Sequence, residues 1–174
     1  MQAALRALNQ LVADGVIEAY AIGGAIGASF YIQALQTEDI DAFVFLPVAA
    51  SGLLSLTPVY EALQAQGGRI EREYVQFGSW PLQILPDANP LIDEAICEAV
   101  SVEFEGVPTR VFRAEHLCAV ALQTGRPKDY LRVSLFLEAG RVDIDRLQDV
   151  LSRYGLQDRL TRVRLSEGGS YAAR

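Results

Sequence analysis

Two glycines and two aspartates constrain this chain more than anything else in it. In AIGGAIGASFYIQALQTEDIDAFVFLP (21–47), Gly23-Gly24 closes an apolar strand, and fourteen residues separate the pair from Asp39-Ile40-Asp41. The pattern reads strand, glycine turn, helix, strand. Glycines let a backbone approach a ligand closely, and a helix N-terminus offers unpaired N–H groups, so this is a phosphate cue. The cue also suits a dinucleotide turn or tight packing, and the acids discriminate. In a dinucleotide fold the acid sits at the far end of a second, parallel strand. Here Asp39 and Asp41 begin the second strand and FVFL follows them. An antiparallel partner would bring that beginning beside the glycine turn, so the pattern predicts an antiparallel pair. Alternate strand residues share a face, which sets the two carboxylates roughly 7 Å apart with Ile40 pointing into the core. Mg²⁺ is commonly held by one or two carboxylates plus substrate phosphates. The competing reading, a solvated Thr-Glu-Asp turn, leaves the glycine pair unexplained.

The rest of the chain reads as alternating elements. Helical periodicity covers 2–15, strand patterns cover 17–23 and 40–46, and a small-residue helix is expected over 24–35. Ser/Thr-Pro opens a helix in 55–68 and Gly-Gly ends it. Strands are expected over 69–77 and 80–86, an Asn-Pro helix start at 89–99, and a hairpin over 100–113 turning at Glu105-Gly106. Three helical segments follow from Ala114. This is an α+β pattern: a mixed or antiparallel sheet core flanked by helices (1–113), a helical C-terminal part packed on it (114–165) and a flexible tail (166–174).

The net charge of −7 works against broad binding to long nucleic acids or anionic membranes, which needs dense Lys and Arg. The uncharged run 19–35 is short of the roughly 20 residues of a membrane span and holds three glycines. No signal-peptide pattern opens the chain. Cys97 and Cys118 have no metal-ligand spacing and read as two buried free thiols, which leads to the expectation of a reducing, cytoplasmic setting.

Other candidates read as structural. His116 has no ligand partner at a metal-binding spacing and reads as a satisfied histidine. Ser29 lies in IGASF, which is not a nucleophile elbow. Tyr74, Phe77 and Trp80 could stack a base but more often belong to a core. Asp143 and Asp145 repeat the DxD pattern before a helix, with Asp145 expected as its N-cap. Ser170 and Tyr171 in the tail are candidate sites of self-modification.

Gly23-Gly24 followed by Asp39-Ile40-Asp41 resembles the hG[GS]…[DE]h[DE]h signature of the DNA polymerase β-like nucleotidyltransferases. Thr37-Glu38 resembles the Ser/Thr lead-in of small bacterial members related to abortive-infection toxins. Thr124-Gly125-Arg126-Pro127-Lys128-Asp129 resembles a GRxKD helix junction of that branch. The resemblance spans roughly 15–140. It implies that Gly23, Gly24 and Thr37 meet a nucleoside triphosphate and that Asp39 and Asp41 hold Mg²⁺ and carry catalysis. Arg126 and Lys128 would lie near the site mouth, on phosphates or in an ion pair, unless they simply form a capped, solvated helix start; Asp129 reads as structural. The implied reaction moves a nucleoside monophosphate to a hydroxyl of a protein, an RNA end or a small molecule. Two departures stand out. Gln83 occupies the place of the family's third acid, with Glu73, Glu103 or Glu105 as substitutes, and Ala121 stands where the branch has a lysine. They keep open a second reading: a non-catalytic nucleotide-binding or interaction protein of a toxin–antitoxin-like pair.

Overall fold

The computed structural model describes residues 1–33, 39–47 and 55–163. Its elements run α1 (Gln2–Ala13), β1 (Ala19–Ile22), α2 (Gly24–Ser29), β2 (Ile40–Phe45), α3 (Thr57–Ala65), β3 (Arg69–Glu71), β4 (Tyr74–Phe77), β5 (Trp80–Pro86), α4 (Pro90–Cys97), β6 (Val100–Phe104), β7 (Val107–Val111), α5 (Ala114–Thr124), α6 (Pro127–Glu138) and α7 (Ile144–Arg153). A further helical turn pair covers 157–163. The strands form one seven-stranded mixed sheet in the order β3-β4-β5-β2-β1-β7-β6. β1 and β2 are antiparallel, with Ile22 opposite Ala42, as the position of the acids predicts. β2 pairs with β5 and β1 with β7 in parallel. The fold is α+β with a helical C-terminal part.

Strand alternation assigns the two faces. Ile40, Ala42 and Val44 of β2 pack with Leu82 and Ile84 of β5, Val75 and Phe77 of β4, and the apolar stripes of α1 (Leu5, Leu8, Leu11) and α3 (Val59, Leu63). Phe43 and Phe45 point the other way, towards a second cluster built from α4, α5 and the helices beyond, including Ile96, Leu117, Phe136 and Leu151. The sheet is therefore a shared middle layer. α2 lies at its end: Ile26 joins the first cluster and Ala28 the second.

Several local expectations change. α2 stops at Ser29 rather than running to residue 35, and two turns of small residues carry little dipole. The strand expected over 69–77 is two strands, β3 and β4, joined by a turn in which Arg72 takes φ 58°. Asp143, not Asp145, caps α7: its carboxylate accepts from the Arg146 N–H at 3.1 Å. Cys118 is buried, and burial pushes its thiol up, but Cys97 is exposed, contrary to the expectation of two buried thiols. His116 is fully buried, with Nε2 2.9 Å from Glu94 Oε1. Asn89 caps α4 as the Asn-Pro pair predicts.

Candidate functional site

The antiparallel β1–β2 pair brings the glycine turn and the acids together. The Gly23 N–H donates to the Asp41 carbonyl at 2.9 Å. Gly24 takes φ +57°, and a Cβ placed on it would lie 1.8 Å from Asp41 Oδ2. A Cβ on Gly23 would overlap the rings of Phe43 and Phe112. Both positions thus need glycine for space, and Gly24 needs it for backbone conformation as well. The Asp41 carboxylate rests directly on the turn.

Asp41 sits in a divided field. Burial and the neighbouring Asp39 raise its carboxyl to about 6, and Arg132, Arg126 and Lys128 pull it back down. All three cations come from the first half of α6. Asp129 organises them. Its carboxylate accepts from Arg126 Nε at 2.6 Å and from the Arg126 backbone N–H at 3.3 Å, capping the helix start. It also pairs with Arg132 Nη1 at 3.4 Å. Asp129 is 1% exposed and Arg132 8%, and Arg132 Nε has no hydrogen-bond partner among the described residues. Asp129 is therefore structural, as expected. Arg126 caps α6 and Lys128 lies in its first turn, and the charges of both act on Asp41. Arg132, whose charge acts on Asp41, was passed over by the sequence reading; its signal was the i, i+3 spacing from Asp129, which puts both on one side of the helix.

The sheet places three further residues. Asp41 is opposite Gln83 on β5, and Gln83 is opposite Tyr74 on β4. The neighbours of each along its strand point into the first cluster, so Asp41, Gln83 and Tyr74 form a row on the other face. The Tyr74 phenol is held above its ordinary range by desolvation and by Asp39, Glu73 and Asp41. Phe77 and Trp80 pack in or against the first cluster, away from the row.

The substitutes for a third acid fare differently. β7 runs parallel to β1, so the β6–β7 hairpin turn lies at the end of the sheet away from Gly23, where Gln2 of α1 donates to the Glu105 carbonyl at 3.0 Å. Glu103 and Glu105 are thereby removed from Asp41. Glu73 lies in the β3–β4 turn beside Tyr74, two strands from β2. Among the described residues no group of three or more acids, histidines or cysteines could hold a metal. Asp39 and Asp41 alone could act with substrate oxygens as hard donors. Ala121 is buried in the second cluster, where a lysine would be out of place. Thr37 lies outside the described residues. A cavity of about 280 Å³ at the opposite sheet end, lined in part by Asn9, Tyr20 and Arg110, contains none of these residues.

Solved structures with the same mixed α+β fold superpose on nearly the whole chain. A nucleotidyltransferase-like antigenic protein from Paracoccidioides brasiliensis matches with a TM-score of 0.57 and 14% identity, over 93% of this chain and 90% of that one. The antibiotic-resistance factor ANT(2'')-Ia, crystallised with adenylyl-2''-tobramycin, matches with a TM-score of 0.52 and 18% identity, over 91% of this chain and 98% of that one. At these identities the likeness is one of fold. No family model matches the chain, and no curated protein does. No helix among the described residues is long and apolar enough to cross a membrane.

Proposed function

We propose that the protein is a Mg²⁺-dependent nucleotidyltransferase that moves a nucleoside monophosphate from a nucleoside triphosphate to an acceptor hydroxyl and releases pyrophosphate. The observation that carries this reading is the contact between the Asp41 carboxylate and the Gly24 backbone. It joins a place where phosphates can approach the chain to a pair of hard oxygen donors. Burial first and the neighbouring Asp39 second raise the Asp41 carboxyl, and a divalent cation shared with substrate phosphates suits that donor pair. Asp39 and Asp41 would hold the metal; bound there, it would neutralise charge on the phosphates. Gly23 and Gly24 allow the triphosphate close to the backbone. Because α2 is short, most of the positive field comes from Arg126, Lys128 and Arg132 rather than from its dipole. Thr37 keeps its proposed nucleotide contact on the strength of the motif alone.

The finer parts of the reading rest on the sequence. These are the division at residues 113 and 165, the cytoplasmic setting and the placement among abortive-infection toxin-type members. Gln83 favours a second reading, in which the chain binds nucleotide without turnover as one half of a toxin–antitoxin-like pair. A glutamine beside Asp41 cannot take a proton from an acceptor.

Thermal unfolding with and without each Mg·NTP tests the proposal. Ligand at about 100 times its dissociation constant adds roughly 2.7 kcal/mol to a folded state that binds it. The expected outcome is a Mg²⁺-dependent rise in the melting temperature that disappears in Asp39→Asn/Asp41→Asn. No rise with any nucleotide sinks the proposal and leaves only an interaction protein. A rise without pyrophosphate release under any condition leaves the second.

A further inference from the structure

A transferase without a third acid still needs an acceptor, and the row Asp41–Gln83–Tyr74 suggests where one is. For transfer at Asp39 and Asp41 the acceptor must reach the phosphorus held beside that pair. Tyr74 is placed for this: it shares a face with Asp41, is one strand removed across Gln83, and its phenol lies in the electrostatic reach of Asp39 and Asp41. Strands lie about 4.8 Å apart, so Tyr74 begins less than 10 Å from Asp41, about the span its side chain and a phosphate bridge together. Neither hydrophobic cluster includes Tyr74, whereas its strand neighbours Val75 and Phe77 are core.

The chemistry suits the missing base. An alcohol must lose a proton that Gln83 cannot accept. A phenol ionises near pH 10 against about 15.7 for bulk water, and although desolvation and the charges of Asp39, Glu73 and Asp41 hold the Tyr74 phenol above that ordinary value, a phenol asks less of a base. We infer that Tyr74 is a self-modification site, which accepts a nucleoside monophosphate from a triphosphate bound at Gly23, Gly24, Asp39 and Asp41. The inference rests on the nucleotidyl-transfer reading and names its acceptor. In the step, Tyr74 Oη attacks the α-phosphorus of Mg·NTP. The Oη–Pα bond forms and the bond from Pα to the bridging oxygen breaks. Pyrophosphate leaves with the electron pair, and the phenolic proton passes to water. The product is an O-nucleotidyl tyrosine that fills the acceptor side of the site, so each chain reacts once.

Incubation of the purified chain with Mg·ATP, and separately with the other three Mg·NTPs, followed by intact mass and peptide mapping, tests this directly. The expected result is a mass increase of one nucleoside monophosphate, mapped to Tyr74, with one equivalent of pyrophosphate. The label is lost in Tyr74→Phe and in Asp41→Asn, and the labelling rate per chain is unchanged on tenfold dilution. Tyr74→Phe retains the wild-type thermal shift with Mg·NTP, which separates loss of the acceptor from loss of the nucleotide site. A label on another residue, or a thermal shift with no label, overturns the inference and leaves the nucleotide site standing. No thermal shift in the wild type overturns the nucleotide reading itself, and this inference with it.

Discussion

At the scale of single residues, two atoms in contact do most of the explaining. Gly24 occupies the left-handed region and leaves no room for a side chain above Asp41. Gly24→Ala therefore pays twice: about 1–2 kcal/mol for the backbone conformation, and a displaced Asp41 carboxylate. The expected outcome is a protein that folds with a lowered melting temperature and shows no Mg·NTP-dependent rise. A full rise in the variant would show that Asp41 need not lie against the turn. Asp41 itself should set part of the pH dependence of the metal-free protein. Burial and Asp39 raise its carboxyl from the usual 3.8 to about 6. Between those values the folded state binds more protons than the unfolded one, so stability falls as pH rises from about 4 to about 6 and stays lower above. Asp41→Asn should remove that fall and stabilise the metal-free chain at pH 7 by on the order of 2 kcal/mol. Urea unfolding of both proteins in a chelating buffer at pH 4, 5, 6 and 7 measures it; parallel curves for the two would exclude Asp41 as the source.

Among the elements, the helices beyond β7 are tied together at Glu94. Its carboxylate meets His116 of α5 at 2.9 Å, Arg153 of α7 at 2.5 Å and the Tyr154 hydroxyl at 2.6 Å. Burial alone would raise the Glu94 carboxyl, but hydrogen bonds from Arg153, Tyr154 and His116 outweigh it and bring the group down to about 2. A depressed carboxyl contributes stability that is present above its unfolded value near 4.5 and is lost as pH falls towards 2. Acid unfolding should therefore loosen the junction of α4, α5 and α7, and Glu94→Gln should be less stable than wild type at pH 7 with a shallower loss below pH 4.5. Equal acid limbs for the two proteins would show that the network adds nothing to the balance. His116 is a buried strut between helices that is only half satisfied: Nε2 meets Glu94, but the buried Nδ1 has no hydrogen-bond partner among the described residues, contrary to the expectation of a satisfied histidine.

Over the whole molecule, one sheet serves two hydrophobic clusters, and the site opens at its end. β1 and β2 lie in the middle of the strand order and carry buried residues facing both clusters. β3 is an edge strand whose three residues are all exposed. Amide hydrogen exchange should consequently be slowest at Tyr20–Ile22 and Ala42–Val44, approaching the rate of global unfolding, and fast in β3. Fast exchange in β1 or β2 would mean that the site's two strands open without the rest. The nucleotide site would then stand on a mobile frame rather than on the rigid centre of the sheet.

Much of this was legible in residue order, and the reason is local geometry. The position of the acids at the head of their strand predicted the antiparallel pair, and Asn-Pro, Glu-Gly and Thr-Gly-Arg-Pro marked element ends through backbone preferences that act within a few residues. What failed was also local: small residues after Gly24 have no strong preference that sustains a helix beyond Ser29, and Asp143 and Asp145 compete for one cap. The remaining features depend on contacts between segments far apart in the chain. Only the sheet register put Tyr74 in line with Asp41, and only the tertiary structure buried Arg132 beside Asp129 and brought its charge to bear on Asp41. The sequence by itself determined the glycine turn and the antiparallel pairing that sets Asp41 against it, because backbone preference and the order of polar and apolar residues along a strand are local. Tertiary structure decided what surrounds that pair, because charge, burial and register across strands arise from neighbours that no local pattern specifies.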